Sequence, residues 1–259
     1  MRIKITVAYL GTAYAGWQRQ ANAPSVQAAI EAAVASVEGQ PVVLYGAGRT
    51  DTGVHARGQV AHFDSAKPLA PDAWRGAINA HLEPAIRVMA AAAADADFHA
   101  RHSAGGKTYR YQLDTGQVGS PFHAATAWHV GPDVDIAALR SGACSLLGPL
   151  DQRAFATRPQ PGGRPDRPLE AADVLHSGDI VDITIRGHSF LSHAVRGMVG
   201  TLVQAARGRR TAESIRAAAE SGDREMAGPA APAHGLCLDA VHYPSLDNIG
   251  DDDEPSPRD

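Results

Sequence analysis

Gly46-Ala47-Gly48-Arg49-Thr50-Asp51-Thr52-Gly53-Val54-His55-Ala56-Arg57-Gly58-Gln59-Val60-Ala61-His62-Phe63-Asp64 decides how this chain reads. Four glycines, at 46, 48, 53 and 58, bracket one acid, Asp51, with Arg49 two residues before it. Glycine permits backbone shapes that a β-carbon forbids, so the stretch reads as a shaped loop. From Gln59 the residues alternate as in a strand, with Val60, His62 and Asp64 on one side. A carboxylate and a guanidinium therefore share a tight loop that feeds a strand, the kind of place where chemistry concentrates.

Three roles for Asp51 compete. It can be a turn or cap residue paired with Arg49. It can be a nucleophile or general base, kept ionised by the neighbouring guanidinium. It can belong to a metal site with His55, His62 and Asp64, but the spacing matches no zinc pattern and no metal is expected. Gly46-Ala47-Gly48 lacks the third glycine of a dinucleotide fingerprint, because Asp51 stands in its place.

Outward from that loop, the order of elements is legible. Residues 2–9 read as a strand, 24–37 as a helix, 42–45 and 58–63 as strands, 71–81 as a helix and 85–93 as a strand. That is β-α-β-β-α-β, the ferredoxin-like unit. The order recurs with strands at 107–113, 169–176, 180–186 and 236–243 and helices at 134–147 and 189–207, plus an extra helix at 211–221. The expected fold is α+β: two ferredoxin-like halves, 1–104 and 105–245, with the working cleft between them, and an acidic, disordered tail at 246–259. The Arg- and Pro-rich stretch 158–168 reads as a long loop, either a connection or an arm that touches RNA phosphate.

The 259 residues carry a net charge of -4, which argues against a nucleic-acid partner until its distribution is examined. The tail alone holds six acids and one base; without it the chain has 23 bases and 22 acids. Local basic surface is therefore permitted. No apolar run approaches a membrane span, and the chain starts directly on a strand pattern, so no membrane and a cytoplasmic location are expected. Cys144 and Cys237 have no motif spacing and read as small core residues.

Two further stretches bear on chemistry. Tyr109 and Tyr111, two apart on a strand, share a face beside Lys107, Arg110, Arg101 and His102, a pattern suited to stacking single-stranded bases. Both can equally be core. In the 189–207 helix, Gly197 and Gly200 cost helix stability and suggest close approach by backbone or ligand. Arg196, on that small-residue face, is a candidate partner for a carboxylate.

The block Gly48-Arg49-Thr50-Asp51-Thr52-Gly53-Val54-His55-Ala56 with Gly58-Gln59-Val60-Ala61-His62-Phe63 resembles the signature of the bacterial tRNA pseudouridine synthase A family. Four other stretches resemble the same family in the same order. They are Gly16-Trp17-Gln18-Arg19-Gln20; Phe98-His99-Ala100-Arg101 with Lys107-Thr108-Tyr109-Arg110-Tyr111; Phe190-Leu191-Ser192-His193-Ala194-Val195-Arg196 with Gly200-Thr201-Leu202-Val203; and Ala231-Pro232-Ala233-His234-Gly235-Leu236-Cys237-Leu238.

The resemblance implies isomerisation of uridine to pseudouridine at tRNA positions 38 to 40, by a homodimer without cofactor or metal. Asp51 matches the family's catalytic aspartate, and Arg49 the arginine that helps extrude the target nucleotide. Tyr109 matches the tyrosine that stacks on the uracil, and Arg196 the base that pairs with the aspartate. Two positions depart from the pattern: Leu10 stands where the family usually has Asp, and Ala194 where it usually has Met. An RNA-binding module on the same sheet and a carboxylate glycosidase, which needs a second acid near Asp51, are the rival readings.

Overall fold

The structure, a computed structural model, describes residues 1–157 and 167–244. Most of the 158–168 loop and the tail lie outside the described residues. The first half runs β1 (Arg2–Tyr9), α1 (Val26–Glu38), β2 (Tyr45–Gly46), β3 (His55–Asp64), α2 (Pro71–Ala80) and β4 (Ile86–Ala94). The second runs β5 (Gly106–Asp114), β6 (Trp128–His129), α3 (Ile136–Cys144), β7 (Leu169–Ser177), β8 (Ile180–Gly187), α4 (Ala194–Ala206), α5 (Ala212–Ser221) and β9 (Leu236–His242).

All the described strands belong to one sheet, in the order β4-β1-β3-β9-β5-β8-β7, with β2 on β3 and β6 on β5. Each half contributes the same arrangement. β4-β1-β3-β2 in the first corresponds to β9-β5-β8-β7 in the second. The expected duplicated α+β layout is present, and the halves share the sheet instead of standing apart.

The seam is where β3 meets β9. They pair in parallel through His55↔Cys237 and Ala56↔Leu238, while the rest of that edge of β3 takes β2 at Ala61 and His62. β9 then pairs antiparallel with β5, Tyr109 beside Leu238. Ala56, Leu238 and Tyr109 thus lie side by side across three strands, directly after the Asp51 loop.

Two cores hold the halves. Ile3, Ile5, Val7, Trp17, Ile30, Phe63 and Trp74 pack the first; Tyr111, Leu113, Phe155, Ile183, Met198 and Leu202 pack the second. Half-buried Tyr109 packs against both. In α1, Ile30, Ala33 and Val34 share the inner face, as helical spacing requires. Ser25 caps its start by accepting the Ala28 N–H, and Gly39 ends it in a left-handed conformation.

Two expectations are corrected. The strand expected at 42–45 shrinks to Tyr45–Gly46. Leu44 turns instead to α1, its N–H donating to Glu31 Oε1 (3.1 Å) and its carbonyl accepting from Gln27 Nε2 (2.9 Å). Side chains satisfy the backbone there, so no ladder is needed. The helix expected from 189 starts at Ala194, because His193 is in a left-handed conformation (φ 62°) that no right-handed helix contains.

Candidate active site

The Asp51 loop is braced by the Gly16-Trp17-Gln18 segment and by β3. Trp17 N–H donates to Thr50 O (3.1 Å), and Gly53 N–H to Tyr14 O (3.4 Å). Thr50 is buried, its hydroxyl bonded to Tyr9 OH at 2.8 Å. Gln59 Nε2 donates to Gly48 O at 2.9 Å. The turn closes when Val54 N–H donates to Asp51 O (3.1 Å), with Gly53 at φ 79° in the position that requires a positive φ.

Just after the turn, His55 ties three segments together. Gly11 N–H donates to its Nδ1 (2.9 Å), while Nε2 faces the Ala125 and His234 carbonyl oxygens, both at 2.9 Å. Nδ1 is therefore an acceptor and the ring proton sits on Nε2. Burial lowers the imidazole pKa despite the two carbonyls. His55, neutral and buried, anchors the loop.

Asp51 projects from this frame with its side chain 31% exposed. Its Oδ2 lies 3.3 Å from His193 Nε2. The loop belongs to the first half and His193 to the second, so the carboxylate stands between them. Tyr109 lies within the reach of its charge. The phenol pKa is raised well above its ordinary value, chiefly by burial and then by the Asp51 charge. Its ring meets Phe190 edge-on, centroids 5.3 Å apart. Tyr111, on the same face of β5, is core: fully buried, its hydroxyl donating to Pro232 O at 2.8 Å.

The two arginines lie differently from the sequence-based expectation. Exposed Arg49 donates from Nε to Gln18 Oε1 (3.1 Å), and among the described residues it makes no ion pair with Asp51. Arg196 donates from Nε to Ala231 O (2.7 Å), while Ala231 N–H donates back to its carbonyl (2.9 Å). Its neighbour at that distance is a carbonyl; the side chain that meets the carboxylate is His193, one turn earlier. Arg110, expected beside the stacking face, is spent on Asp239 (2.9 Å) and Asp182 (3.5 Å).

His193 lies in the 190–196 motif, and its left-handed backbone and its approach to Asp51 belong to the tertiary structure alone. Lys107, a base flanking Tyr109 in sequence, reaches the loop itself, where a β-carbon at position 48 would meet its Nζ at 2.8 Å. Its pKa is lowered by burial and then by the charges of Arg101 and Arg167.

His55, His62 and Asp64 do not form a centre. His62 accepts the Ala100 N–H (3.1 Å), and Asp64 pairs with Arg2 (2.9 Å). Among the described residues, no three His, Cys, Asp or Glu side chains gather as a metal site. No helix among them is long and apolar enough to cross a membrane.

A partly exposed carboxylate between two halves, with the Tyr109 ring under its charge, suits a nucleoside delivered from an RNA. The comparisons agree. The tRNA pseudouridine synthase family model matches residues 5–103 and 143–244. The tRNA pseudouridine synthase A of Maricaulis maris is 43% identical over 244 residues, covering 94% of this chain and 98% of its own. That of Syntrophotalea carbinolica is 42% identical over 247 residues, covering 95% and 98%. At that coverage of both chains, this protein belongs to the tRNA pseudouridine synthase family.

Proposed function

We propose that the protein isomerises uridine to pseudouridine at positions 38, 39 and 40 in the anticodon stem-loop of tRNA, with Asp51 initiating the reaction. The observation that carries this is the Asp51 carboxylate, partly exposed where the halves meet, with Tyr109 within the reach of its charge. The C1′–N1 bond breaks, the uracil turns, and C5 joins C1′; the C5 proton leaves and N1 gains one. No external group enters the product, so the reaction needs no cofactor. An ionised carboxylate can attack the nucleoside or take a proton.

The target base must first leave its stack, at a cost of a few kcal/mol. Stacking on Tyr109 returns about 1–3 kcal/mol of it. Arg49, exposed at the loop's tip, is placed in this reading to fill the space the nucleotide vacates, and Arg196 to hold substrate on the far side. Residues 1–104 and 105–245 are the two units that make the site, and the working form is a cytoplasmic homodimer gripping one tRNA.

The test uses unmodified tRNA carrying uridine at 38, 39 or 40, with pseudouridine mapped after incubation. Wild type forms it; Asp51→Asn binds the tRNA and forms none. Asp51→Asn at the wild-type rate removes Asp51 from its role. Free uracil as product indicates glycoside hydrolysis, and tight binding without product indicates an RNA-binding module.

A further inference from the structure

We infer that His193 is a positioning residue for Asp51, and that Thr157 holds the far nitrogen of its ring. This rests on Asp51 being the acid that acts on the nucleoside. Among the described residues, His193 is the one non-glycine residue with a positive φ, at 62°. That conformation is unfavourable for a residue with a β-carbon, and such outliers persist where surroundings impose them. His193 also occupies the N-cap of α4, yet its side chain makes no capping bond. A Ser, Thr, Asp or Asn would cap there. Strain is accepted and the cap is forgone at one position, and the ring goes to Asp51 instead.

Both nitrogens are committed. Nε2 is 3.3 Å from Asp51 Oδ2, and Nδ1 meets Thr157 Oγ1, with Ser192 Oγ 3.5 Å from the same nitrogen. The carboxylate can only accept, so a neutral ring in this contact carries its proton on Nε2, and the Thr157 hydroxyl then donates to Nδ1. A protonated ring keeps Nε2–H and turns Thr157 into the acceptor. Asp51 therefore faces a proton-bearing nitrogen in either state of the ring. Among the described residues, Tyr109 on β5 feels the Asp51 charge, and Arg196 lies one turn along α4 from His193. A hold on Oδ2 limits rotation of the carboxylate, which is what aiming it at one atom of a nucleoside requires.

The experiment compares single-turnover pseudouridine formation, tRNA affinity and Tm in wild type, His193→Gly, His193→Asn, Thr157→Val and Thr157→Ser. Glycine and asparagine both accept the left-handed backbone. Glycine removes the donor, and asparagine keeps a shorter one. His193→Gly should keep its Tm and bind tRNA within about twofold of wild type, while its single-turnover rate falls about ten- to a hundredfold. His193→Asn should recover part of that rate. Thr157→Val should slow the reaction and Thr157→Ser restore it. Wild-type rates in His193→Gly, or losses matched by equal losses of affinity or Tm, overturn the inference. If Asp51→Asn is dead while His193→Gly is fully active, this inference alone fails. If wild type forms no pseudouridine, the proposed activity fails with it.

Discussion

Tyr109 shows how a residue's neighbours divide its work. Its ring is shared between the two cores, and its hydroxyl lies under the field of Asp51. If the ring supplies the stacking face, Tyr109→Phe keeps tRNA affinity and Tyr109→Ala loses about 1–3 kcal/mol of it. A filter-binding titration of both variants separates them: equal losses would assign the effect to the hydroxyl. Tyr109 and Tyr111 look alike in sequence, and their shared face follows from strand periodicity. Their different fates do not. Tyr111 is covered by the segment around Pro232, more than a hundred residues away in the chain. The same holds for Arg196, whose carbonyl partner at Ala231 no local pattern marks.

At the scale of an element, α4 is the informative case. Its apolar spacing from Phe190 to Leu202 reads as one continuous helix, yet the helix spans Ala194–Ala206. The pattern misleads because Leu191 is buried from an irregular segment, its N–H donating to Gln152 Oε1 at 2.9 Å. Burial demands apolar side chains whatever the backbone does. The glycines at 197 and 200 suggest close approach, and the structure identifies what approaches. A β-carbon at Gly200 would drive into the Pro229 carbonyl oxygen, and one at Gly197 into that of Phe155. Helix propensity alone says Gly200→Ala stabilises by about 1 kcal/mol. The packing says the opposite: overpacking against backbone costs about 2 kcal/mol or more. Gly200→Ala should lower Tm by roughly 4–8 °C in a thermal melt. A raised Tm would show that the segment around Pro229 yields easily.

The molecule as a whole should be acid-sensitive. His62 is 2% exposed on β3, stacked on Tyr45 at 5.1 Å. Burial, then the neighbouring His99 and Arg2, push its pKa from 6.5 down to about 4. Above the unfolded value the ring is neutral in both states, and its stability contribution is fully present. As pH falls from there through the folded value, the unfolded chain takes up the proton first. Up to about 3 kcal/mol is lost across that window. Urea midpoints measured from pH 7 to pH 4 should fall, and His62→Asn should flatten part of the fall. His55 and His99, also lowered by burial, add to the fall, as do carboxylates held below their usual range such as Glu38 and Asp64. An unchanged slope in His62→Asn would mean that His62 protonates without cost.

The sequence by itself determined the repeated order of strands and helices, the apolar faces and the loop around Asp51. All of these rest on interactions between residues close together in the chain: side-chain periodicity, caps, and glycine at a positive φ. Only the tertiary structure decided that β3 and β9 join the halves into one sheet, that Leu44 turns to α1 instead of a strand, and that His193 stands against Asp51. Those outcomes depend on which distant groups meet and which hydrogen bonds they leave to be satisfied, and no local pattern in the chain encodes that.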